Sequence, residues 1–265
     1  MNDISADRPS GAPEGTFSVG AAARILLNGP ADSPYRLRMA VSDADIRAAQ
    51  TLRFLVFNLE LSEGLEKSYA TLRDEDPFDA VCDHLLVEDT RTGEVVGTYR
   101  LQTGQSAAKN LGFYSEQEFD FTPFRPIQDR MVELGRACVH IEHRGLAVLG
   151  LLWRGIIDYS ETRGASYLIG CSSLTSQSEA DGAAAFRELA RTSLVASPYR
   201  TNPLPAFACR MDQTRSDRIK IPKLLRAYLA CGARICGPPA IDREFRTIDF
   251  LTLMDLAHLP DSARS

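Results

Sequence analysis

The sequence predicts a mixed α/β fold, with antiparallel hairpins first and a parallel crossover in the middle. Three stretches carry this reading. Met131 to His140 reads as a central strand. It is followed by the turn Ile141-Glu142-His143-Arg144-Gly145, a helix from Leu146 to about Arg163 and a strand over Ala165–Cys171. Strand, turn, helix and strand form a crossover unit, and ligands of such units sit where the strand ends and the helix begins. His84–Asp89 and Glu94–Leu101 flank Thr90-Arg91-Thr92-Gly93, which is a hairpin with a four-residue turn. Tyr35, Leu37, Met39 and Val41 alternate with polar or small residues, as in a half-buried strand.

Taken in order, residues 1–33 are rich in Ala, Gly, Ser, Pro and Asp and are expected to be a flexible tail. After the strand 35–41, Ser42 and Asp45 have capping-box spacing, and a helix is expected from about Asp43 to Asn58. Residues 59–82 are irregular and acidic, a pattern usual for a solvated loop. Residues 103–129 hold Phe113, Tyr114, Phe119, Phe121 and Phe124, and such a segment either covers a ligand cavity or lids the core. In the crossover helix Leu146, Leu149, Leu152, Trp153, Ile156 and Ile157 repeat with helical period, and Gly164 marks its stop. Trp153 at this spacing is assigned to the core. A third helix is expected over 178–191 and a fourth opened by Pro222 and closed by Gly232. Pro238-Pro239 marks a turn, Phe245–Leu253 a last strand, and 259–265 a tail.

The 265 residues suffice for one large domain or two small ones, and 44% hydrophobic content supports a core. A net charge of -5 speaks against nucleic acid as a partner. No apolar run approaches a membrane span, and the first residues carry acids instead of the basic cluster of a secretory signal. The six cysteines include no CxxC pair, which suggests reduced thiols in a cytoplasm and no zinc site. Cys138 reads as a small buried hydrophobe, and one of His140 and His143 is expected to face solvent.

Several motifs, in this order, resemble one family. Arg53-Phe54-Leu55-Val56-Phe57 resembles the R-x-x-V-F of acyl-homoserine lactone synthases and of ornithine N-acyltransferases. Asp79–Val87 resembles the acidic stretch that leads into their first hairpin. Gly97-Thr98-Tyr99-Arg100-Leu101 resembles their G-x-x-R-L, and Glu133-Leu134-Gly135-Arg136 their E-x-[GS]-R. Arg144, Leu152-Trp153, Ile221–Leu229 and Ile241–Asp249 are similar to the L-ornithine N(alpha)-acyltransferase branch. Two positions depart from it: Gly145-Leu146-Ala147 is apolar, and Ile248 stands where Thr is usual. The resemblance covers about residues 35–258. It implies a GNAT-like α/β (α+β) domain over 34–258, with a mixed, mostly antiparallel sheet, a splayed central strand and helices on both faces.

The resemblance also implies an N-acyltransferase. It would move a long, 3-hydroxylated acyl chain from acyl carrier protein to the α-amine of ornithine or a similar amino acid. No metal or bound cofactor is implied, because phosphopantetheine arrives with the donor. The expected place is the cytoplasm, with peripheral contact at the inner face of the membrane through the lipid product. An amino acid arrives as an ammonium, so a group must accept its proton. Glu133, between Val132 and Leu134, is the candidate base, since burial raises a carboxylate's proton affinity. Glu133 and Arg136 are three residues apart, so a regular strand puts them on opposite faces, and a bulge at Gly135 would bring both to one cavity. Arg53, Phe57, Asp79, Asp83 and Arg100 are candidates for the amino-acid site. For Asp79 and Asp83, pairing with Arg53, Arg100 or Arg136 weighs equally. Val139, His143, Arg144 and Gly145 are candidates for the donor phosphopantetheine. Phe57, Phe78 and Phe113 are candidates for an acyl tunnel. Arg144, Arg154, Arg187, Arg191, Lys220 and Lys223 could form a basic dock for an acidic carrier protein. The competing readings are a lactone synthase, an N-acyl amino acid synthase, an acetyl-CoA enzyme and a non-catalytic acyl-binding module. A Glu133–Arg136 pair with a purely structural role is the bland alternative.

Overall fold

The computed structural model describes residues 27–28, 33–215 and 219–260. In chain order come β1 (Leu27–Asn28), β2 (Tyr35–Met39), α1 (Asp43–Arg53) and a π-helical turn, Phe54–Glu60. Next are α2 (Ser68–Thr71), β3 (Asp83–Asp89), β4 (Glu94–Thr103) and α3 (Gly104–Lys109). Two 3₁₀ segments, Tyr114–Gln117 and Thr122–Arg130, lead into β5 (Met131–Val139), α4 (Leu146–Thr162) and β6 (Tyr167–Leu174). The chain finishes with α5 (Glu179–Leu189), α6 (Lys223–Ala230), β7 (Arg234–Ile235), β8 (Ala240–Asp242) and β9 (Thr247–Asp255).

The strands form one nine-stranded sheet in the order β1-β2-β3-β4-β5-β6-β9-β7, with β8 also paired to β9. Every pairing is antiparallel except β5 with β6. The parallel pair is the one joined by α4, as the crossover pattern requires. Alternation along the strands separates two environments. Leu37, Leu85, Val87, Tyr99 and Leu101 pack with Val148, Leu151, Leu152 and Ile156 of α4 in the main apolar core. The alternate residues, His84 and Arg100, turn to the other face, where Asp79 bonds both.

Several expectations shift in detail. The first helix stops being α-helical at Arg53 instead of running to Asn58, and the wider π turn that follows carries Val56 and Phe57. On α4 the buried stripe is Val148, Leu151, Leu152, Gly155, Ile156 and Tyr159, whereas Leu146 is 89% exposed and Leu149 41%. The helix ends as expected at Gly164, which takes φ 67°. The last strand runs two residues later than expected, and β7 and β8 are too short for any periodicity to reveal. The aromatics of 103–129 divide: Phe113, Phe119, Phe121 and Phe124 are buried together with Met131 and Ile169, while Tyr114 lines a cavity. Most of the two expected tails lies outside the described residues. Within them, Leu27–Asn28 pairs with β2, and Leu259 is buried in the main core instead of belonging to a tail.

Candidate active site

The site is made by β5 losing a neighbour on each side. Toward β6, pairing holds only from Met131 to Glu133, opposite Tyr167 to Ile169. The strands still touch one step later, where a Cβ on Gly170 would lie 2.2 Å from the Leu134 carbonyl oxygen. Beyond that point β5 has no partner on this side. Toward β4, Thr98 faces Cys138 but Arg100 faces Gly135, so β5 carries an extra residue. The residue in the left-handed region is Arg136, at φ 50°, not Gly135. A side chain there costs about 1 kcal/mol or more. Contacts hold it: Arg136 pairs with Asp74 at 3.6 Å and Asp76 at 3.4 Å, and its guanidinium lies 4.0 Å from the Phe245 ring centroid.

A cavity of about 890 Å³ opens in the gap between β5 and β6. Phe57, Arg100, Glu133, Arg136, Val139, Arg144 and Gly145 line it, as does an apolar rim of Leu146, Leu149, Trp153 and Leu224. Trp153 therefore belongs to the cavity wall as well as to the edge of the core. Glu133 sits at the root of the gap and is 5% exposed. Its Oε1 accepts from the Ser115 backbone N at 2.8 Å and from Ser115 Oγ at 2.6 Å, and its Oε2 accepts from the Tyr114 backbone N at 2.7 Å. Burial raises its proton affinity above the usual carboxylate range, and the three donors only partly offset that. One lone pair of Oε2 is left for a proton or a water. Glu133 and Arg136 are not an ion pair; each has other partners.

The other expected residues divide. Arg53 is fully buried and does not line the cavity. It donates to both Asp79 oxygens, at 3.0 and 2.6 Å, and pairs with Asp74 at 2.9 Å. Asp79 also accepts from Arg100 Nη1 at 3.0 Å, and these cations pull its carboxyl far below the usual range. Asp79 thus belongs to a buried network beneath the cavity and not to its wall. The end of the acidic stretch 59–82 is not solvated: buried Asp74 and Asp79 and half-buried Asp76 are counter-charges for Arg53, Arg100 and Arg136, whereas Glu60, Glu66 and most of 59–72 are exposed as expected. Asp83 also lies off the cavity and accepts from Tyr159 Oη at 2.6 Å and from Arg163 at 3.3 Å. The His143 ring turns away to Tyr35 Oη, 2.9 Å from Nδ1. Arg144 lines the mouth, but its guanidinium is held bidentately by Glu60 at 2.5 and 2.6 Å. Phe78 and Phe113 are buried off the cavity wall. Cys138 is buried, and burial pushes its thiol up to about 12.

The cavity also holds polar residues that were not singled out as site residues, although Asp242 and Asp249 lie in the motif Ile241–Asp249. Glu118, Asp242 and Asp249 are 3%, 7% and 4% exposed, and their carboxylate oxygens lie within 4.8 Å of one another. Burial and mutual repulsion raise Glu118 well above the ordinary range and Asp249 to about 6. Gln102, opposite Glu133 on β4, is 2% exposed with neither amide atom hydrogen-bonded. One signal was present in the sequence: Asp249 interrupts an otherwise apolar strand, Ile248 to Leu253. The three acids could also hold a cation, as could His140, Glu142 and His143 near the mouth. Among the described residues no helix is long and apolar enough to cross a membrane.

Comparison with known proteins places this geometry. Residues 52–154 match the acetyltransferase (GNAT) domain family. The L-ornithine N(alpha)-acyltransferase of Brucella abortus is 34% identical over 238 residues, covering 84% of this chain and 85% of that protein. The one from Rhodobacter capsulatus is 32% identical over 243 residues, 87% of this chain and 93% of that protein. Among solved structures, the AHL synthase LasI covers 84% of this chain and 90% of its own at 11% identity and TM-score 0.49. FeeM, an N-acyl amino acid synthase from uncultured soil microbes, covers 84% and 91% at 12% identity and TM-score 0.49. The chain is an acyltransferase of the GNAT fold and belongs to the L-ornithine N(alpha)-acyltransferase family.

Proposed function

We propose that the chain transfers a long, 3-hydroxylated acyl group from acyl carrier protein to the α-amine of ornithine, giving a lyso-aminolipid. The observation that carries this reading is the gap between β5 and β6 with Glu133 buried at its root. The name carried by the relatives supplies the acceptor. The pantetheine arm runs along β5 past Gly135, adding its amides to a strand edge that β6 has left. Val139, Arg144 and Gly145 receive its phosphate end at the start of α4. Arg136 meets the amino acid's carboxylate.

Glu133 takes a proton from the α-ammonium, directly or through one water. The freed nitrogen attacks the thioester carbonyl, an N–C bond forms and the C–S bond breaks. The sulfur leaves as a thiolate and takes up the proton released by the amine. Backbone amides of the bulged strand are candidates to stabilise the oxyanion. The exposed Leu146 and Leu149 and the neighbouring Leu224 give the mouth an apolar rim suited to the acyl chain and to a membrane face receiving the product. The reaction is expected in the cytoplasm.

Incubation of the purified chain with labelled ornithine and either 3-hydroxyacyl carrier protein or 3-hydroxyacyl-CoA tests this. An N-acyl ornithine formed faster from the carrier protein supports the reading. Acyl-homoserine lactone formed from S-adenosylmethionine, or binding of the acyl chain without turnover, overturns it.

A further inference from the structure

The mechanism leaves three buried acids unused. Glu118 follows the Tyr114–Gln117 turn, Asp242 ends β8, and Asp249 lies in β9. They line the same cavity as Glu133. Asp242 Oδ1 accepts from the backbone N of Glu244 and Phe245 at 2.7 and 2.9 Å, which orients its carboxylate. Asp249 Oδ2 accepts from Thr247 Oγ1 at 3.0 Å, while Asp249 Oδ1 has no partner. Among the described residues the hydrogen bond to the Glu118 carboxylate comes from Cys171 Sγ, 4.0 Å from Oε2, and the nearest opposing charge is that of Arg136. Buried carboxylates this close repel one another and lose hydration, a cost relieved either by protonating one of them or by a cation that comes to them. Gln102 points independently to a polar ligand: its amide is buried in the same cavity with neither atom satisfied.

We infer that Glu118, Asp242 and Asp249 form the pocket for the distal ammonium of a diamino-acid acceptor, and so select ornithine over amino acids without a side-chain amine. An alkylammonium presents three N–H donors, and three converging carboxylates offer an acceptor to each. Glu133 and Glu118 are neighbours in the cavity wall, linked through Ser115 Oγ and Cys171 Sγ by contacts of 2.6, 3.4 and 4.0 Å. These contacts limit how far apart the two carboxylates lie, so that one extended ornithine, hydrogen-bonded at each nitrogen, reaches both. The α-amine then lies by Glu133, the carboxylate by Arg136 and the distal amine among the acids. Gln102 is left to complete the wall between them.

This inference rests on the amino-acid acyltransferase reading, and the test separates the two. The full chain, with its acyl donor, is assayed on ornithine and on norvaline, which keeps the carbon skeleton and lacks the distal amine. Without the amine the buried acids stay unpaired, so ornithine is expected to lead in kcat/KM by on the order of 10²-fold. In Asp249→Asn and Glu118→Gln the ornithine-to-norvaline ratio is expected to fall to within about fivefold of unity. Equal rates on both compounds with the unaltered chain, or variants that keep the ratio, overturn the pocket and leave the acyltransferase reading standing. No acylation of either compound overturns both. Loss of ornithine turnover on treatment with EDTA assigns the acids to a metal and overturns the pocket. If neither variant folds, as judged by circular dichroism, the comparison on the unaltered chain decides.

Discussion

Ser115 donates twice to one oxygen of Glu133, through its backbone N at 2.8 Å and its Oγ at 2.6 Å. The first of these survives substitution by any residue but proline, and the second needs a side-chain donor. Both stabilise the ionised carboxylate against burial, so if Glu133 is the base, as proposed, Ser115 tunes it. A hydrogen bond to a charged group is worth about 1.5–3 kcal/mol, or roughly one to two pKa units. Ser115→Ala is therefore expected to move the acidic limb of the kcat/KM profile up by about one unit or more, because the base must be deprotonated to act. Rates should recover at higher pH. Glu133→Gln should lose about 10²-fold or more at every pH. A profile unmoved by Ser115→Ala would remove Glu133 as the base.

The network beneath the cavity should dominate acid stability. Asp79 neutralises Arg53 and Arg100, both buried. Its folded pKa is depressed, so its contribution is present above the unfolded value near 3.8 and is lost as pH falls toward the folded one. Asp79→Asn leaves two buried guanidinium groups short of counter-charge and should cost about 3–5 kcal/mol at pH 7. Urea unfolding at pH 7, 3 and 2 checks this: the gap between the two proteins should be wide at the first, still more than half as wide at the second and clearly narrower at the third.

The acid pocket should show the opposite sign. Asp249 is raised from 3.8 to about 6, so its share of stability is full below the unfolded value and is lost as pH rises through 6. At pH 8 the ionised group costs up to about 3 kcal/mol. Asp249→Asn should therefore melt a few degrees higher than the unaltered chain at pH 8 and lose that advantage near pH 4, even as it loses ornithine turnover. Thermal melts at the two values decide it. A variant less stable at pH 8 would mean that the carboxylate is structurally required.

At the donor end, Arg144 is held by Glu60, which would compete with an incoming phosphate for the guanidinium. Charge reversal, Arg144→Glu, should raise the donor's apparent KM by about tenfold at low salt, with kcat less affected. Salt titration of the unaltered chain should raise the same KM. Of the basic residues singled out in the sequence, Arg144 and Lys223 line the cavity. A KM indifferent to both salt and Arg144 would move the dock elsewhere.

How much the sequence could reveal depended on the range of each signal. Helix α4, the β3–β4 hairpin and the stop at Gly164 follow from local periodicity and turn chemistry, and they stand within a few residues of expectation. Glu133, the proposed base, was legible from the E-x-[GS]-R resemblance and from its place in a strand that is apolar on both faces, as a covered central strand is. The fate of the acidic stretch was not, because its cations Arg53, Arg100 and Arg136 come from three other elements. The acid pocket joins Glu118 to Asp242 and Asp249 across more than 120 residues, and no spacing rule spans that. Likewise the exposed Leu146 and Leu149 fit a helical stripe as well as buried leucines do; only the gap in the sheet turns them into a cavity rim.

Two glycines separate the fold of the gap from its use. A methyl on Gly170 would meet the Leu134 carbonyl at 2.2 Å, a backbone atom that cannot yield without moving β5. Gly170→Ala should therefore cost about 1–3 kcal/mol and disturb the point where the strands part. A methyl on Gly135 would meet nothing within 4 Å, because it enters the cavity. Gly135→Ala should leave stability within about 1 kcal/mol and instead raise the donor KM by about tenfold, the cost of one misplaced carbon in a fitted pocket. Melting curves and donor titrations on both variants test the assignment. If Gly135→Ala binds the donor as well as the unaltered chain does, the pantetheine arm does not run past Gly135, and the path assigned to it along β5 is wrong.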